Sequence, residues 1–292
     1  MYVLFRENEI IEMIFSLVLA TVNRVNELEN FLSSLLIQTY KQFELIICDQ
    51  NEDGKLDDVI KKYKNYFSIT HLKTPLGLSK SRNIGLKFVN GDIIAFPDDD
   101  CVYPKDLLEK IKKLFEKVDV DVLCVRPVNF ELKTTAGKFL NYQTYVSLLQ
   151  GPFVFCSFTM FMKKKVISEV GVFDENLGLG SNSKFQAAED LDYGLRIIKS
   201  GFKVLYMPEI YVYHPEKEKE IGIKELTRAY RYSIATQYVL KKNKIPRYYR
   251  YYYLVRPLGG VLIELVKFRF LRVVYHIIKF YGRLIGETST LK

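Results

Sequence analysis

Residues 91–101 read Gly-Asp-Ile-Ile-Ala-Phe-Pro-Asp-Asp-Asp-Cys, an apolar run followed by three adjacent carboxylates. The run Ile93–Phe96 predicts a short buried strand, and Pro97 suits its end because proline cannot donate to a sheet ladder. Three neighbouring carboxylates repel one another unless a cation neutralises them, and divalent ions such as Mg²⁺ prefer such oxygen ligands. The stretch therefore predicts a metal-binding turn at a strand end, with a solvated acidic turn as the alternative.

The preceding segments alternate between strand-like and helix-like patterns. Strand-like runs cover residues 14–20, 43–48, 67–72 and 93–96, and helix-like runs cover residues 28–36, 57–63, 78–89 and 104–115. This β-α-β-α order predicts a parallel, doubly wound α/β sheet with helices on both faces. Neither of the glycine-rich phosphate-binding patterns GxxxxGK[ST] and GxGxxG occurs.

Polar side chains follow three of these predicted strands. Thr21 and Asn23 follow the first, Asp49 ends the second, and the acidic turn follows the fourth. Because parallel strands point the same way, these groups should line one edge of the sheet, where ligands bind in open α/β folds. Arg82 precedes the fourth strand and could reach the same edge. Carboxylates, an arginine and a metal suit a nucleotide diphosphate.

The second half supplies another set of polar groups. The apolar run 153–162 predicts a strand, residues 173–181 form a glycine-rich loop, and a helix begins near Ala187. Glu189 and Asp190 then lie at the N-terminus of that helix, either as capping residues that complement its dipole or as a general base. Strand-like runs at 203–206 and 210–214 end at His214, which is either a structural residue or a further metal ligand.

Composition divides the chain into a neutral body and a basic tail. Hydrophobic residues make up 48% of the 292 residues, enough for a substantial core, and four separated cysteines without a CxxC pair favour reduced thiols. Residues 241–292 contain 12 Lys/Arg and two Glu, whereas the first 240 residues carry 31 basic and 32 acidic groups. An anionic surface is therefore the expected partner of the tail.

The tail also carries an apolar stripe. Residues 224–242 predict a helix that includes Arg228 and Arg231, which are either solvated, bound to anionic headgroups, or able to close over the diphosphate. A second helical stripe near Lys267 consists of Leu258, Val261, Leu262, Leu265 and Val266. Tyrosines, basic residues and an apolar stripe predict an interfacial membrane helix, with an amphipathic packing helix or a dimer contact as alternatives. A nucleic-acid partner is not expected, because no groove-reading motif accompanies the charge. We expect no signal peptide and no transmembrane helix.

Taken in order, these motifs resemble family 2 glycosyltransferases over about residues 14–215. The resemblance rests on residues 21–24, Asp49, residues 78–85, residues 96–100, residues 173–175 and residues 189–192. It implies a GT-A fold, a nucleotide-sugar donor and an inverting single displacement. The implied organisation is an extension at 1–13, a catalytic domain at 14–215 and a helical, basic, amphipathic, membrane-associating region at 216–292.

The resemblance also assigns roles to individual residues. It implies that nucleotide-sugar contacts come from Thr21, Asn23, Arg24, Asp49, Arg82, Asp98 and Asp99, with Arg82 near the diphosphate. Mg²⁺ or Mn²⁺ would be held by Asp98 and Asp100, with His214 completing the site. Asp190 would be the catalytic base, with Glu189 as the alternative.

The chain departs from the family pattern at two motifs. After the second strand the chain reads Asp49-Gln50-Asn51 in place of the usual acidic-Gly-Ser motif, and the QxxRW motif of processive members is missing. Because the motif of processive members is missing, we expect the addition of one or a few sugars.

The expected donor is a UDP-sugar, ahead of dTDP-rhamnose or a GDP-sugar. The acceptor would be a lipid-linked saccharide of surface polysaccharide or glycan synthesis, selected in part by the loop 177–186. The expected location is the cytoplasmic face of the cell membrane, as a peripheral protein. The alternatives are a sugar-nucleotide pyrophosphorylase, which lacks support because no glycine follows the first strand, and a non-enzymatic membrane scaffold.

Overall fold

The computed structural model describes residues 12–130, 138–215 and 221–291. The strands in this part of the chain are β1 Phe15–Thr21, β2 Phe43–Asp49, β3 Ser68–Lys73, β4 Ile93–Ala95, β5 Val122–Val128, β6 Thr144–Tyr145, β7 Met160–Lys163 and β8 Val204–Tyr213. The α-helices are α1 Val25–Leu36, α2 Asp57–Tyr63, α3 Leu78–Gly85, α4 Leu107–Lys117, α5 Lys164–Val170, α6 Glu189–Lys199, α7 Ile223–Lys242, α8 Arg247–Val266 and α9 Phe270–Thr288.

One sheet organises the described residues between 12 and 215, with strand order β3-β2-β1-β4-β7-β5-β8-β6. The first four strands are parallel, as the β-α-β-α pattern predicts. The second half is mixed, because β7 runs antiparallel to both β4 and β5, and β6 runs antiparallel to β8. The fold is thus a mostly parallel α/β sheet in which an antiparallel strand separates the two parallel groups.

The prediction of one strand over residues 153–162 was too long. Residues Gly151–Phe153 and Ser157–Thr159 form single 3₁₀ turns, and the strand begins only at Met160. In contrast, residues 203–214 contain one strand rather than two, with a register shift between Val125 and Arg126 of the partner β5. Apolar runs alone do not distinguish a buried strand from buried turns, since both are shielded from water.

Close backbone packing positions the two helices that carry the polar groups. A Cβ atom on Gly85 of α3 would lie 2.6 Å from Val18 and 2.7 Å from Cys48, so α3 lies directly on β1 and β2. Likewise, a Cβ atom on Gly194 of α6 would lie 2.3 Å from the ring of Phe155. Only glycine allows such an approach. The middle of α6 is thereby held against Phe155, in the segment between the 3₁₀ turns 151–153 and 157–159.

The helices α7, α8 and α9 form a C-terminal unit that packs on this body. Glycines at the α7–α9 contact, Gly282 and Gly286, would each place a Cβ within 3 Å of α7. Lys242, at the end of α7, pairs with Asp174 at 2.7 Å and with Asp192 at 2.9 Å. The described helices include none that is long and apolar enough to cross a membrane.

Apolar side chains project from the connection between α8 and α9. Val266 is 80% exposed and Phe268 is 79% exposed, and Phe270 and Leu271 are also well exposed. Of the stripe predicted from sequence, Leu258, Leu262, Leu265 and Val266 all lie on the exposed surface. We refer to residues 266–271 as the hairpin tip. The stripe is therefore a solvent-facing surface rather than a contact with the body.

Candidate active site

Two isolated β-bridges bring the predicted site residues to one place. Ala20 at the end of β1 bridges Asp98, and Val102 bridges Tyr213 at the end of β8. The acidic turn is therefore tied to β1 on one side and to β8 on the other. His214 follows β8 directly, so the second bridge brings its imidazole to Asp100. The expectation that strand ends share one edge is confirmed for these elements.

Asp49 is fully buried at the end of β2, where partly exposed partners surround its carboxylate. Its carboxylate accepts hydrogen bonds from the Asn51 amide at 2.8 Å and from Lys73 Nζ at 2.7 Å, and His71 Nε2 lies 3.0 Å away. Burial raises the pKa of Asp49, but Lys73 and Asn51 outweigh it, so the net pKa is lowered. Asn23 joins this pocket because its N–H donates to Asn51 Oδ1 at 2.8 Å.

Asp99, the middle carboxylate of the turn, faces inward. It is 5% exposed, and it accepts hydrogen bonds from Thr21 Oγ1 and from Arg24 Nη1, both at 2.7 Å. Burial raises the pKa of Asp99 to about 6, and Thr21 and Arg24 oppose that rise. Arg24 also contacts Asp100 at 2.5 Å. Arg24 is therefore the counter-ion of two carboxylates of the acidic turn.

The other two carboxylates converge with His214. Ligand atoms of Asp98, Asp100 and His214 all lie within 4.8 Å of one another. His214 Nε2 is 3.1 Å from Asp100 Oδ1, a buried oxygen without a well-aligned hydrogen-bond donor, and its ring stacks on Phe158 at 4.6 Å. Two carboxylates and an imidazole suit Mn²⁺ or Mg²⁺, and an under-bonded carboxylate oxygen fits a metal ligand.

Arg82 connects this set to α6. The side chain is fully buried between the rings of Phe96 and Phe173, with ring centroids 5.9 and 5.7 Å from the guanidinium. Its Nη2 donates to Asp98 Oδ1 at 2.8 Å, and its Nη1 lies 3.9 Å from Glu189 Oε1. Within the described residues, Nε and Nη1 have no hydrogen-bond partner. A buried guanidinium with free N–H groups suits an anionic ligand.

Glu189 and Asp190 begin α6 directly after Ala188, which has a left-handed backbone with φ of 66°. No side chain caps this helix, although Asp190 Oδ1 accepts the N–H of Leu191 at 2.7 Å. Burial raises the pKa of Glu189, and Asp190 raises it further. Burial also raises the pKa of Asp190, and the Leu191 N–H and Arg82 only partly offset this. Carboxyl groups with raised pKa values are typical of acid–base sites.

The structure thus brings the predicted site residues into two adjoining groups. Asn23 and Asp49 form the pocket at β2. At the acidic turn, one set of contacts joins Thr21, Arg24, Asp99, Asp100 and His214, and Arg82 joins Asp98 to Glu189 beside it. The two sets meet where ligand atoms of Asp98, Asp100 and His214 lie within 4.8 Å of one another. Asp190 is adjacent to Glu189 in this network. Sequence reasoning missed His71 and Lys73 beside Asp49. Lys73 ends β3, so the strand-end argument applied to β2 would have found it.

The chain is similar to known glycosyltransferases over different shares of their length, and it spans 17% of the first of them. The chain is 36% identical over 107 residues to a glycosyltransferase of Rickettsia conorii, an alignment that covers 35% of this chain and 17% of that protein. It is 25% identical over 250 residues to the glycosyltransferase EpsE of Bacillus subtilis, covering 83% and 87%. It is 26% identical over 144 residues to WfgD of Escherichia coli, a UDP-Glc:alpha-D-GlcNAc-diphosphoundecaprenol beta-1,3-glucosyltransferase, covering 48% and 57%.

Solved structures share the fold across most of the chain. Staphylococcus aureus TarS 1–349 in complex with UDP-GlcNAc matches with a TM-score of 0.61 and 16% identity, covering 93% of this chain and 92% of that one. The mannosyltransferase PcManGT of Pyrobaculum calidifontis, in complex with GDP-Man and Mn²⁺, matches with a TM-score of 0.62 and 13% identity, covering 92% and 86%. These neighbours confirm the expected GT-A fold.

The family comparison agrees with the site. The sequence model described as glycosyl transferase family 2 matches residues 16–171, which contain β1 to β4, the Asp49 pocket and the acidic turn. The match spans more than half of the chain, and the protein therefore belongs to glycosyl transferase family 2.

Proposed function

We propose that this protein is an inverting, metal-dependent hexosyltransferase. It moves a sugar from a nucleotide-sugar, with a UDP-sugar favoured, to a hydroxyl of a lipid-linked saccharide during synthesis of a surface polysaccharide or glycan. The observation that carries the proposal is Arg82, which contacts Asp98 of the acidic turn on one side and approaches Glu189 of α6 on the other. A leaving-group site and a proton-accepting site therefore adjoin.

On the donor side, Asp49, Asn23 and Thr21 would hold the base and ribose, since they lie at the ends of β1 and β2. Arg24 and Asp99, which contact each other beneath the turn, would support the ribose and diphosphate. The free N–H groups of Arg82 would bind the diphosphate. Mg²⁺ or Mn²⁺ held by Asp98, Asp100 and His214 would draw charge from the leaving diphosphate. PcManGT, with bound Mn²⁺, supports this cofactor.

On the acceptor side, Asp190 would remove the proton from the attacking hydroxyl, with Glu189 as the alternative base. A carboxylate with a raised pKa is a better proton acceptor than an ordinary one, because proton transfer is most efficient when the pKa lies nearer the working pH. One base and one stabilised leaving group suffice for single displacement with inversion. Family membership favours transfer over the pyrophosphorylase alternative, and the binding experiment below tests the scaffold alternative.

The lipid-linked acceptor and the membrane surface are proposed together. WfgD acts on a diphosphoundecaprenol-linked sugar. In this chain the exposed apolar residues of the hairpin tip alternate with Lys267 and Arg269, and Arg272 follows. Apolar side chains beside cations suit the interface of an anionic membrane. We therefore assign residues 14–215 to catalysis and 216–292 to association with the cytoplasmic face of the membrane.

Calorimetric titration with UDP-, dTDP- and GDP-sugars, with and without Mn²⁺, tests the donor part of this proposal. We expect one nucleotide class to bind, and to bind more tightly when Mn²⁺ is present. Asp100→Asn should remove the metal effect, whereas Asp106→Asn, a partly exposed acid after the turn, should retain it. If the folded protein binds no sugar nucleotide either with or without Mn²⁺, the result would favour the non-enzymatic scaffold over the transferase.

A further inference from the structure

A cleft of about 310 Å³ lies between α7 and the loop 177–186. The loop contributes Leu179 and Gln186, and α7 contributes the remaining lining residues Ile223, Lys224, Thr227, Arg228, Arg231 and Tyr232. We call this space the α7 cleft. It is distinct from the metal and nucleotide groups described above, and it includes part of the loop 177–186 that is expected to help select the acceptor.

The cleft is cationic. Its lining contains Lys224, Arg228 and Arg231, and it contains no carboxylate among the described residues. Arg228 lies over the ring of Tyr232 at 5.2 Å and has Glu225 at 3.8 Å. Lys224 and Arg231 make no ion pair with any described residue, and both are exposed. Three cations that converge on one concave space, two of them unpaired, make a binding site for an anion.

The α7 cleft adjoins the proposed base. A Cβ atom on Gly178 would lie 3.1 Å from the carboxyl carbon of Glu189, so the loop backbone before Leu179 packs directly on that carboxylate. From the other wall, Tyr232 is close enough for its pKa, raised by burial, to be raised further by Glu189 and Asp190. A ligand in the cleft would therefore lie beside the group that takes the acceptor proton.

We propose that the α7 cleft binds a phosphate or diphosphate group of the acceptor. The inference rests on the proposed transferase function and specifies its acceptor as a phosphorylated one. A phosphoryl group in the cleft and a hydroxyl at Asp190 would belong to the same or adjacent parts of one acceptor. The guanidinium groups of Arg228 and Arg231 match the paired oxygens of phosphate, and Thr227 and Tyr232 add hydroxyl groups.

Calorimetric titration with inorganic pyrophosphate in EDTA tests this site in the full chain. EDTA removes divalent ions and so weakens diphosphate binding at the acidic turn. We expect the wild-type protein to bind pyrophosphate, and the double variant R228Q/R231Q to bind it at least roughly tenfold more weakly. The matched control K61Q/K64Q removes two exposed charges, one in α2 and one directly after it, and should bind like the wild type.

The same variants separate failure of this proposal from failure of the transferase proposal. If R228Q/R231Q binds pyrophosphate like the wild type, the α7 cleft is not an anion site, whatever the donor titration shows. If R228Q/R231Q loses affinity for the preferred nucleoside diphosphate as much as for pyrophosphate, these cations serve the donor and the proposal is overturned. If the wild-type protein binds no nucleotide-sugar, the result would instead contradict the transferase proposal.

Two competitors distinguish the sources of the phosphate. Geranyl diphosphate represents an isoprenyl diphosphate-linked acceptor, and glycerophosphoglycerol represents a phosphodiester polymer. Displacement of pyrophosphate by one of them supports the proposal and identifies the acceptor class. Displacement by neither would show that pyrophosphate binds only as an adventitious anion, which overturns the assignment to an acceptor.

Discussion

The edge of the sheet and the hairpin tip differ in whether their side chains have partners within the protein. At the sheet edge, charged groups are fully or partly buried and neutralise one another: Arg24 holds Asp99 and Asp100, and Arg82 holds Asp98. At the tip, Phe268 and Phe270 are exposed and have little protein contact. Buried polar networks are organised before a ligand binds, whereas an exposed apolar group gains free energy only from a partner. The first region is therefore built for a small polar ligand and the second for a surface.

Replacing the proposed base should have the largest effect on the sheet edge. Asp190→Asn keeps the shape of the side chain but removes its proton affinity, and we expect kcat to fall by about 10³-fold, within the usual range for a general base. Donor affinity should remain within a factor of about two. Glu189→Gln is the matched variant. If Glu189→Gln abolishes transfer and Asp190→Asn does not, the two roles must be exchanged.

Removing the buried guanidinium of Arg82 tests whether its contacts with Asp98 and Glu189 stabilise the protein before a ligand binds. Arg82→Met leaves Asp98 and Glu189 without their shared cation, and we expect about 3 kcal/mol of lost unfolding free energy in urea denaturation. Lys80→Met, an exposed neighbour on α3, should change stability by no more than about 0.5 kcal/mol. Equal stability of the two variants would mean that the Arg82 contacts contribute nothing net to the folded state.

The acid limb of the pH–rate profile provides a graded test. The base must be unprotonated to accept a proton, and the pKa of Asp190 is raised, mainly by burial. Transfer under saturating donor should therefore fall about tenfold per unit as pH drops below that raised pKa, and the fall should begin above the ordinary carboxyl pKa of about 4. A profile that stays flat down to pH 4.5 would exclude a carboxylate with a raised pKa as the base.

The smallest effect concerns the hairpin tip. Phe268→Ser removes one exposed ring, and we expect binding to phosphatidylglycerol vesicles to weaken by about fivefold, equivalent to about 1 kcal/mol of partial burial. Tyr66→Ser, at a comparably exposed position on the body, is the control. The chain has no tryptophan, so Phe268→Trp also provides a single fluorescent reporter whose emission should shift to the blue on vesicles. An unshifted emission would argue against insertion.

Sequence reasoning succeeded where structure follows local periodicity. The predicted helix 57–63 and the strand 43–48 agree with α2 and, within one residue, with β2. The co-location of Asp98, Asp100 and His214 also followed, because strands that share a direction share an edge. Their roles in metal binding and transfer stay predictions. The sequence therefore predicted which residues come together at the site, although they are far apart along the chain.

Other features depend on contacts between distant residues. The antiparallel β7 lies between β4 and β5 because of pairing across the sheet, for which the apolar run 153–162 carries no signal. Similarly, nothing near Arg24 in the sequence indicates that it pairs with carboxylates more than 70 residues away. The sequence marked Arg228 and Arg231 as candidate anion-binding residues, but it gave no sign that they face the loop 177–186 across a cleft.

The glycine contacts between α7 and α9 fix how far the α7 cleft lies from the hairpin tip. Gly282 of α9 packs beside Ser233 of α7, next to Tyr232 in the cleft, and Phe270 begins the same helix. At 1.5 Å per residue, the two levels are separated by about 18 Å along the helix axis. In the proposed docking of the hairpin tip on a membrane, an α9 directed along the membrane normal would set the distance between the interface and the cleft. Only hydroxyl groups carried near that height by a lipid anchor would meet the base, so reach, as well as chemistry, would select the acceptor.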